Sequence, residues 1–359
     1  MALTLFDFGW DEEWQVVREA AGFEGLLPGR VIAQHRIAFR VRLEEGECSV
    51  QLPGRMRREA ASPADLPAVG DWVLVKRRGD MQGLIQVLLP RRTKLSRKVA
   101  GMQIEEQVLA ANLDMVWIAC GMDGDFNLRR IERYVAMTHE SGATPLVVLT
   151  KRDLSDDPDA QIGLVRQAVE SCTVVSVSAA MEEGKEQLER FARPAATVAI
   201  LGSSGVGKST LVNWLAGEKL MEVGRVREAD GKGRHTTSRR ELLRLDSGLL
   251  VIDTPGMREL ALWESQRGLG TSFADVEAVA GECRFRDCGH REEPGCAVRE
   301  AVARGFLEAA RVGSYLKLKS EQSSLTARLE QRARAERKGK AGGRPRPEQD
   351  IEDAKNLDD

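Results

Sequence analysis

The sequence contains no apolar run near the ~20 residues that a membrane-spanning helix needs. It also has little net charge: 53 Lys and Arg against 55 Asp and Glu leave −2 over 359 residues. Overall charge therefore announces no nucleic-acid partner, although its distribution still can. Histidines are scarce, four in all, and there are six cysteines. Three of these fall between Cys283 and Cys296, while Cys48, Cys120 and Cys172 are scattered, mostly in apolar surroundings. That pattern fits a reducing compartment with one local cluster better than a disulfide framework. The amino-terminal stretch MALTLFDFGWDEEW lacks a basic region ahead of an apolar one, so it does not read as a secretion signal. No internal repeat is visible. These absences lead to the expectation of a cytoplasmic protein with no membrane partner, and the length to two or three domains.

What is present changes character along the chain. Residues 1–26 read as a helical or irregular lead-in. Residues 27–99 carry short alternating runs such as GRVIAQHRIAFRVRL and VGDWVLVKRR, separated by Gly, Pro and charge, which predict a small β-barrel. The run LPRRTKLSRKVAG reads as a basic linker. From Leu113 the rhythm becomes strand–helix–strand: LDMVWIAC, NLRRIERYVAMTHESG, TPLVVLT, PDAQIGLVRQAVES, TVVSVSA, EEGKEQLERFA, then ATVAILG. RRELLRL and GLLVIDTPG follow as paired strands. That alternation predicts a mostly parallel sheet covered on both faces. A Cys-rich segment, a helical stretch and a charged tail, read as disordered, complete the chain.

The stretch GSSGVGKS, Gly202 to Ser209, has the spacing of a phosphate-binding loop. Gly202 and Gly207 permit backbone conformations in which successive N–H groups converge on phosphate oxygens. Ser203, Ser204, Gly205 and Val206 supply the intervening backbone, and Thr210 continues into the helix whose dipole adds to the attraction. Lys208 would reach the β- and γ-phosphates and Ser209 would offer its hydroxyl to Mg²⁺. The alternative is a chance glycine-rich turn, but the loop follows an apolar strand and opens a helix as the mechanism requires.

Two further strand ends choose the base. In TKRD (Thr150, Lys151, Asp153) a carboxylate can accept from both N1–H and the 2-amino group of guanine. Lys151 would lay its stem along the base. Taken alone, TKRD could equally be a helix start capped by Asp153. In SVSA, Ser178 and Ala179 complete the site, with the Ala179 N–H meeting guanine O6. Asp253, in IDTPG, would hold Mg²⁺ through water, and the Gly256 N–H would sense the γ-phosphate. All these pieces sit at carboxyl ends of strands, where open α/β sheets bind ligands. The base motif precedes the phosphate loop, so the order is that of a circularly permuted GTPase, a rearrangement tolerated where domain termini lie close together.

Cys283, Cys288, His290 and Cys296 form C-x4-C-x-H-x5-C, three thiols and an imidazole suited to one structural Zn²⁺. A disulfide or unrelated buried thiols are the alternatives. Arg284, Arg286 and Arg291 around it read either as a phosphate-facing surface or as a solvated loop.

With these motifs in the order TKRD, SVSA, GSSGVGKST, GRHTT, DTPG and the Cys-Cys-His-Cys cluster, behind a β-barrel, the chain resembles the circularly permuted bacterial GTPases of the ribosome small subunit-dependent GTPase A family. The resemblance spans nearly the whole chain. It implies an N-terminal OB-fold RNA-binding domain (27–99), a central α/β P-loop GTPase domain (100–272), a C-terminal zinc-binding helical domain (273–330) and a charged tail (331–359). It also implies late maturation of the small ribosomal subunit, binding to the subunit and its rRNA in the GTP state, and release as GDP forms. Hydrolysis would be slow alone and stimulated by the subunit, and the protein is read as a monomer. The family's base motif usually begins with Asn; Thr150 keeps a hydroxyl but loses an amide, which puts guanine affinity in doubt. Met257 after Gly256 cannot orient water as a Gln would. His235 in GRHTT is a candidate for that task, against a loop histidine that meets RNA or solvent. Thr237, or less favourably Thr236, would close over Mg²⁺.

Three basic segments suggest multipoint phosphate contact that weakens with salt: Arg55, Arg57 and Arg58; Arg91, Arg92, Lys94, Arg97 and Lys98; and the tail residues Arg332, Arg334, Arg337, Lys338 and Lys340. Each alone could be solvated surface. Phe39 and Trp72 read as core rather than as stacking platforms. A nucleotide-regulated RNA-binding protein with negligible hydrolysis, or an ATPase, are the competing functional readings.

Overall fold

Five strands form the amino-terminal part: β1 (Leu27–Gln34), β2 (Ala38–Leu43), β3 (Gly46–Gln51), β4 (Trp72–Arg77) and β5 (Gln82–Leu88); β2 and β3 bury every second side chain, while β1 and β4 are buried on both faces over four or five consecutive residues. The computed structural model describes residues 3–20, 22–35, 38–79, 81–98, 106–170, 172–221, 240–253 and 266–342. β1 pairs with β2 and with β4, β2 with β3, β3 in parallel with β5, and β5 with β4, so the sheet closes on itself. Val31, Phe39, Val41, Val50, Val73 and Ile85 fill its interior. This five-stranded barrel has the strand order of an OB-like fold.

Helix α1 (Glu12–Ala20) of the lead-in docks on the barrel through aromatic packing. Trp10 meets Trp72 edge-on with centroids 4.7 Å apart, and Trp14 lies 6.1 Å from Trp72. Phe39 and Trp72 are buried, as expected of core. The segment holding Arg55, Arg57 and Arg58 is a short helix, α2 (Gly54–Glu59).

The basic linker expected after the barrel is instead a strand. β6 (Lys94–Lys98) pairs antiparallel with β7 (Glu106–Ala111). Its cations face partners within the chain: Lys94 lies 2.8 Å from Glu106 and Arg97 donates to Gln107. Ahead of it, Arg91 grips Asp71 with two bonds of 2.7 Å and donates to the Ala64 and Leu66 carbonyls. Arg92 pairs with Asp11 and lies over Trp14 at 4.3 Å. Arg91, only 11% exposed in its side chain, is therefore committed to holding the chain together, whereas Arg92, Lys94 and Arg97 have partners within the chain and still keep surface open to water.

The second sheet contains β8 (Met115–Gly121), β9 (Thr144–Thr150), β10 (Thr173–Ser176), β11 (Thr197–Leu201), β12 (Arg240–Arg244) and β13 (Leu250–Asp253). Its order is β10-β9-β8-β11-β13-β12, parallel except for the last strand. Period-two alternation sorts the side chains to two cores. Val116, Ile118, Val147, Leu149, Ala199 and Leu201 face one side. Trp117, Ala119, Leu146, Val148, Val198 and Ile200 face the other. The first face is covered by α3 (Leu128–Ser141) and α4 (Pro158–Ala168), and the second by α5 (Lys185–Glu189) and α6 (Lys208–Ala216). Helix α3 starts where the Asn127 side chain accepts from the Arg130 N–H at 3.0 Å. β12 also pairs antiparallel with β1, with Ala33 opposite Glu241, so barrel and central sheet form one continuous ladder.

The carboxyl-terminal helices are α7 (Gln266–Ser272), α8 (Ala274–Ala280), α9 (Ala297–Ala303) and α10 (Ala309–Gly342). α10 runs past residue 330, so the first part of the stretch read as a disordered tail is helical. Phe273, Val276, Val298 and Tyr315 share the core under α3. Arg311 clasps this junction: it donates to Asp275 at 2.7 and 2.8 Å, to Glu132 at 3.2 Å, and to the Ala168 and Ser272 carbonyls.

Candidate nucleotide site and metal cluster

β8 and β11 are adjacent, but the chain leaves β8 toward β9 and leaves β11 toward β13. A crevice opens at such a reversal, beyond the carboxyl ends of the strands. The phosphate-loop motif occupies it. Gly207 caps α6 with φ +102°, a backbone state that side chains resist. At Gly202 an added Cβ would stand 2.6 Å from the Ala119 carbonyl, so the loop packs against β8 only without a side chain. The Lys208 ammonium folds over the loop and donates to the carbonyls of Gly202 (2.9 Å) and Ser203 (2.6 Å). Ser204, Gly205 and Thr210 are exposed at the mouth, Ser203 and Ser209 half-buried, and Val206 buried beneath.

The TKRD motif lies directly against this loop, although Thr150 and Val206, where they meet, are 56 positions apart. The buried Thr150 hydroxyl donates to the Val206 carbonyl at 2.7 Å and lies 3.4 Å from the Cys120 carbonyl. The residue expected to weaken the site thus ties base motif to phosphate loop. Lys151 sits at φ +56° on the turn out of β9, and Asp153 follows in a one-turn helix. The buried Ser178 hydroxyl donates to the Asp153 carboxylate, and Ala179 is half-buried next to it.

Asp253, at the end of β13, stands opposite Glu241 of β12. Burial pushes its carboxyl upward, the Lys208 ammonium pulls it down and Glu241 pushes it up again. Both residues are half-buried, and the Glu241 carboxylate is ion-paired with Arg40 of β2. Gly256, Met257, His235, Thr236 and Thr237 lie outside the described residues.

Sequence reasoning missed two carboxylates in the loop after β8. Asp123 accepts from the Lys151 ammonium at 2.7 Å, which holds its carboxyl below the usual range. Asp125 accepts from the Ser203 hydroxyl and pairs with Arg130 at 2.7 Å. The available signal was positional: both follow a strand end beside the reversal point.

Between α8 and α9 the loop brings Cys283, Cys288, His290 and Cys296 together, with one donor atom from each inside a span of 4.8 Å. The His290 Nδ1 lies 3.5 Å from the sulfurs of both Cys283 and Cys296, and those sulfurs are 3.9 Å apart. Tetrahedral zinc with bonds of about 2.3 Å to sulfur and about 2.0 Å to nitrogen has donor separations of roughly 3.5–3.8 Å. The cluster is compatible with one zinc ion. Burial lowers the affinity of the His290 imidazole for a proton, the neutral form a metal requires. Arg284, Arg286 and Arg291 project from this loop into solvent, Arg284 lying over the exposed Phe285 ring at 5.5 Å. Among the described residues no helix is long and apolar enough to cross a membrane.

Comparison with known proteins agrees with this architecture. Residues 88–263 match the model of the RsgA GTPase family. A protein of Opitutus terrae named small ribosomal subunit biogenesis GTPase RsgA is 45% identical over 346 residues, covering 93% of this chain and 94% of its own. One of the same name from Xylella fastidiosa is 46% identical over 315 residues, covering 87% and 92%. Among solved structures, YjeQ from Thermotoga maritima is similar with a TM-score of 0.62 and 25% identity, covering 83% of this chain and 98% of that one. YloQ, described as a circularly permuted GTPase, is similar in fold with a TM-score of 0.58, covering 84% and 96%.

Proposed function

The chain belongs to the RsgA GTPase family, and we propose that it is a GTP-hydrolysing assembly factor for late maturation of the small ribosomal subunit. It works in the cytoplasm, binds the immature subunit and its rRNA in the GTP state, and leaves when hydrolysis yields GDP. The single observation that carries the reading is the Thr150–Val206 hydrogen bond, which joins base motif to phosphate loop as a nucleotide spanning both demands.

In this reading the Asp153 carboxylate accepts from the guanine edge and Ser178 keeps it oriented. The backbone N–H groups from Ser203 to Thr210 surround the phosphates, and Lys208 moves from the Gly202 and Ser203 carbonyls onto phosphate oxygens. Ser209, Asp253 and Thr237 would hold Mg²⁺, which supplies charge neutralisation between the phosphates. Gly256 would sense the γ-phosphate. Met257 has no group to orient water, so turnover is slow until the subunit, or His235, completes the site. The Cys283–Cys288–His290–Cys296 cluster would hold a structural zinc, since four protein donors leave no open position.

The β12–β1 pairing supports the timing of release. β12 follows directly after the stretch containing Thr237 and is bonded to the barrel, so a nucleotide-dependent shift there reaches the RNA-binding domain. The test is GTP turnover titrated with small subunits, large subunits and naked RNA. Stimulation by small subunits alone supports the proposal. Equal rates in all three titrations, or equal subunit affinity with GDP and a non-hydrolysable GTP analogue, would sink it.

A further inference from the structure

The loop Gly121–Asn127 touches both halves of the nucleotide site and belongs to neither motif. It leaves β8 hydrogen-bonded to the base strand: Gly121 is in register with Thr150, and the Met122 N–H donates to the Thr150 carbonyl at 2.9 Å. Its first carboxylate is fixed by the loop itself. Asp123 Oδ1 accepts from the Asp125 N–H at 3.1 Å, leaving Oδ2 for the Lys151 ammonium at 2.7 Å. The second carboxylate turns the other way. Asp125 Oδ2 accepts from the Ser203 hydroxyl, in the first half of the phosphate loop, and is held by Arg130 at 2.7 Å.

We propose that this loop is a two-carboxylate clamp in which Asp123 positions Lys151 as the platform under the guanine ring and Asp125 positions the phosphate loop through Ser203. The proposal rests on the guanine-nucleotide reading above. A lysine has four rotatable bonds, and a mobile one loses that freedom each time a base settles on its stem. Asp123 removes the freedom beforehand, so the platform exists before the nucleotide arrives. The pair is partly open to water, with side-chain exposures of 32% and 25%, and its worth is correspondingly modest, about fivefold in affinity. Asp125 acts on a different element. Lys208 rests on the Ser203 carbonyl, so fixing the Ser203 side chain fixes the peptide that receives the catalytic lysine. Both carboxylates are positioning residues, since each acts through another side chain.

A double-mutant cycle read by GDP affinity of the full-length protein separates positioning from general structural damage. Asp123→Ala is expected to weaken GDP about fivefold in the native background and less than twofold when Lys151 is already Ala. Asp125→Ala is expected to do the same relative to Ser203→Ala. Asp123→Glu, which keeps the charge and can still reach the ammonium, should recover part of the loss. Equal losses in both backgrounds, or no loss from either carboxylate, would overturn the clamp while leaving the nucleotide reading intact. No measurable GDP binding by the native protein would overturn both.

Discussion

Thr150→Val replaces a hydroxyl by a methyl of nearly the same size, so packing at this buried position is kept and only the hydrogen bond is lost. The Thr150 oxygen lies 2.7 Å from the Val206 carbonyl, close to ideal, and 3.4 Å from the Cys120 carbonyl, a marginal contact. Val206 is buried under the phosphate loop, so its carbonyl gains no ready water partner once the donor is gone. Leaving such a group unpaired costs about 1–3 kcal/mol. Part of that is relieved by rotation of the Val206–Gly207 peptide, and the rotation moves an N–H away from the phosphates. The expected result is a GDP dissociation constant raised about 5- to 30-fold, from about 1–2 kcal/mol expressed in binding. Titration of a fluorescent GDP analogue measures it, with thermal unfolding to establish that the variant is folded. Thr150→Asn, whose amide can donate to the same carbonyl, should stay within about threefold of the native protein. If Thr150→Val binds GDP as tightly as the native chain, the hydroxyl does not join the two halves of the site and the reasoning fails.

The zinc cluster predicts one zinc ion per chain by elemental analysis, a lower content in His290→Ala, and loss of amide protection in α9 and the loop before it when a strong chelator is added. Unchanged protection after complete metal removal would contradict a structural role. Arg311→Ala strips the buried Glu132, only 4% exposed in its side chain, of its charge partner and should destabilise the chain by about 3–5 kcal/mol. Adding Glu132→Gln should recover part of that, and a melting temperature unmoved by Arg311→Ala would refute the clasp. Asp11 has its carboxyl held below the usual value, first by the hydrogen bond from Arg92. A lowered folded-state value means its contribution is full above the unfolded carboxylate pKa near 3.8 and is lost as pH falls through the folded value. Docking of α1, followed by fluorescence of Trp14, should therefore weaken on acidification below about pH 4. Asp11→Asn should weaken it at neutral pH and flatten this dependence.

The phosphate loop and the cysteine cluster were legible because their physics is local. Eight consecutive residues from Gly202 to Ser209 contain the backbone freedom, the cation and the helix start that a phosphate needs. Four metal donors fall within fourteen residues, between Cys283 and Cys296. The strand–helix rhythm from Leu113 onward was legible too, since side-chain periodicity reports burial directly. The order of the motifs was enough to expect a permuted chain.

The basic run from Arg91 to Lys98 shows where that reading stops. Its sequence is that of a phosphate-binding linker, yet Arg91 serves Asp71, Arg92 serves Asp11, and Lys94 serves Glu106. Each of those cations found an acid brought near by folding, and a charge run in sequence does not say which acid that will be. The same holds for Asp123 and Asp125, which are ordinary loop acids until β8 is set beside β9 and β11. It holds as well for β12, whose bond to the barrel depends on two strands some two hundred residues apart. Local conformation and hydrophobic period are properties of a short window of chain, and so the sequence determined the elements and the chemistry of each motif. Pairing between distant groups depends on a three-dimensional approach that no short window contains, and so only the tertiary structure decided which charges bind inward and how the halves of the site are joined.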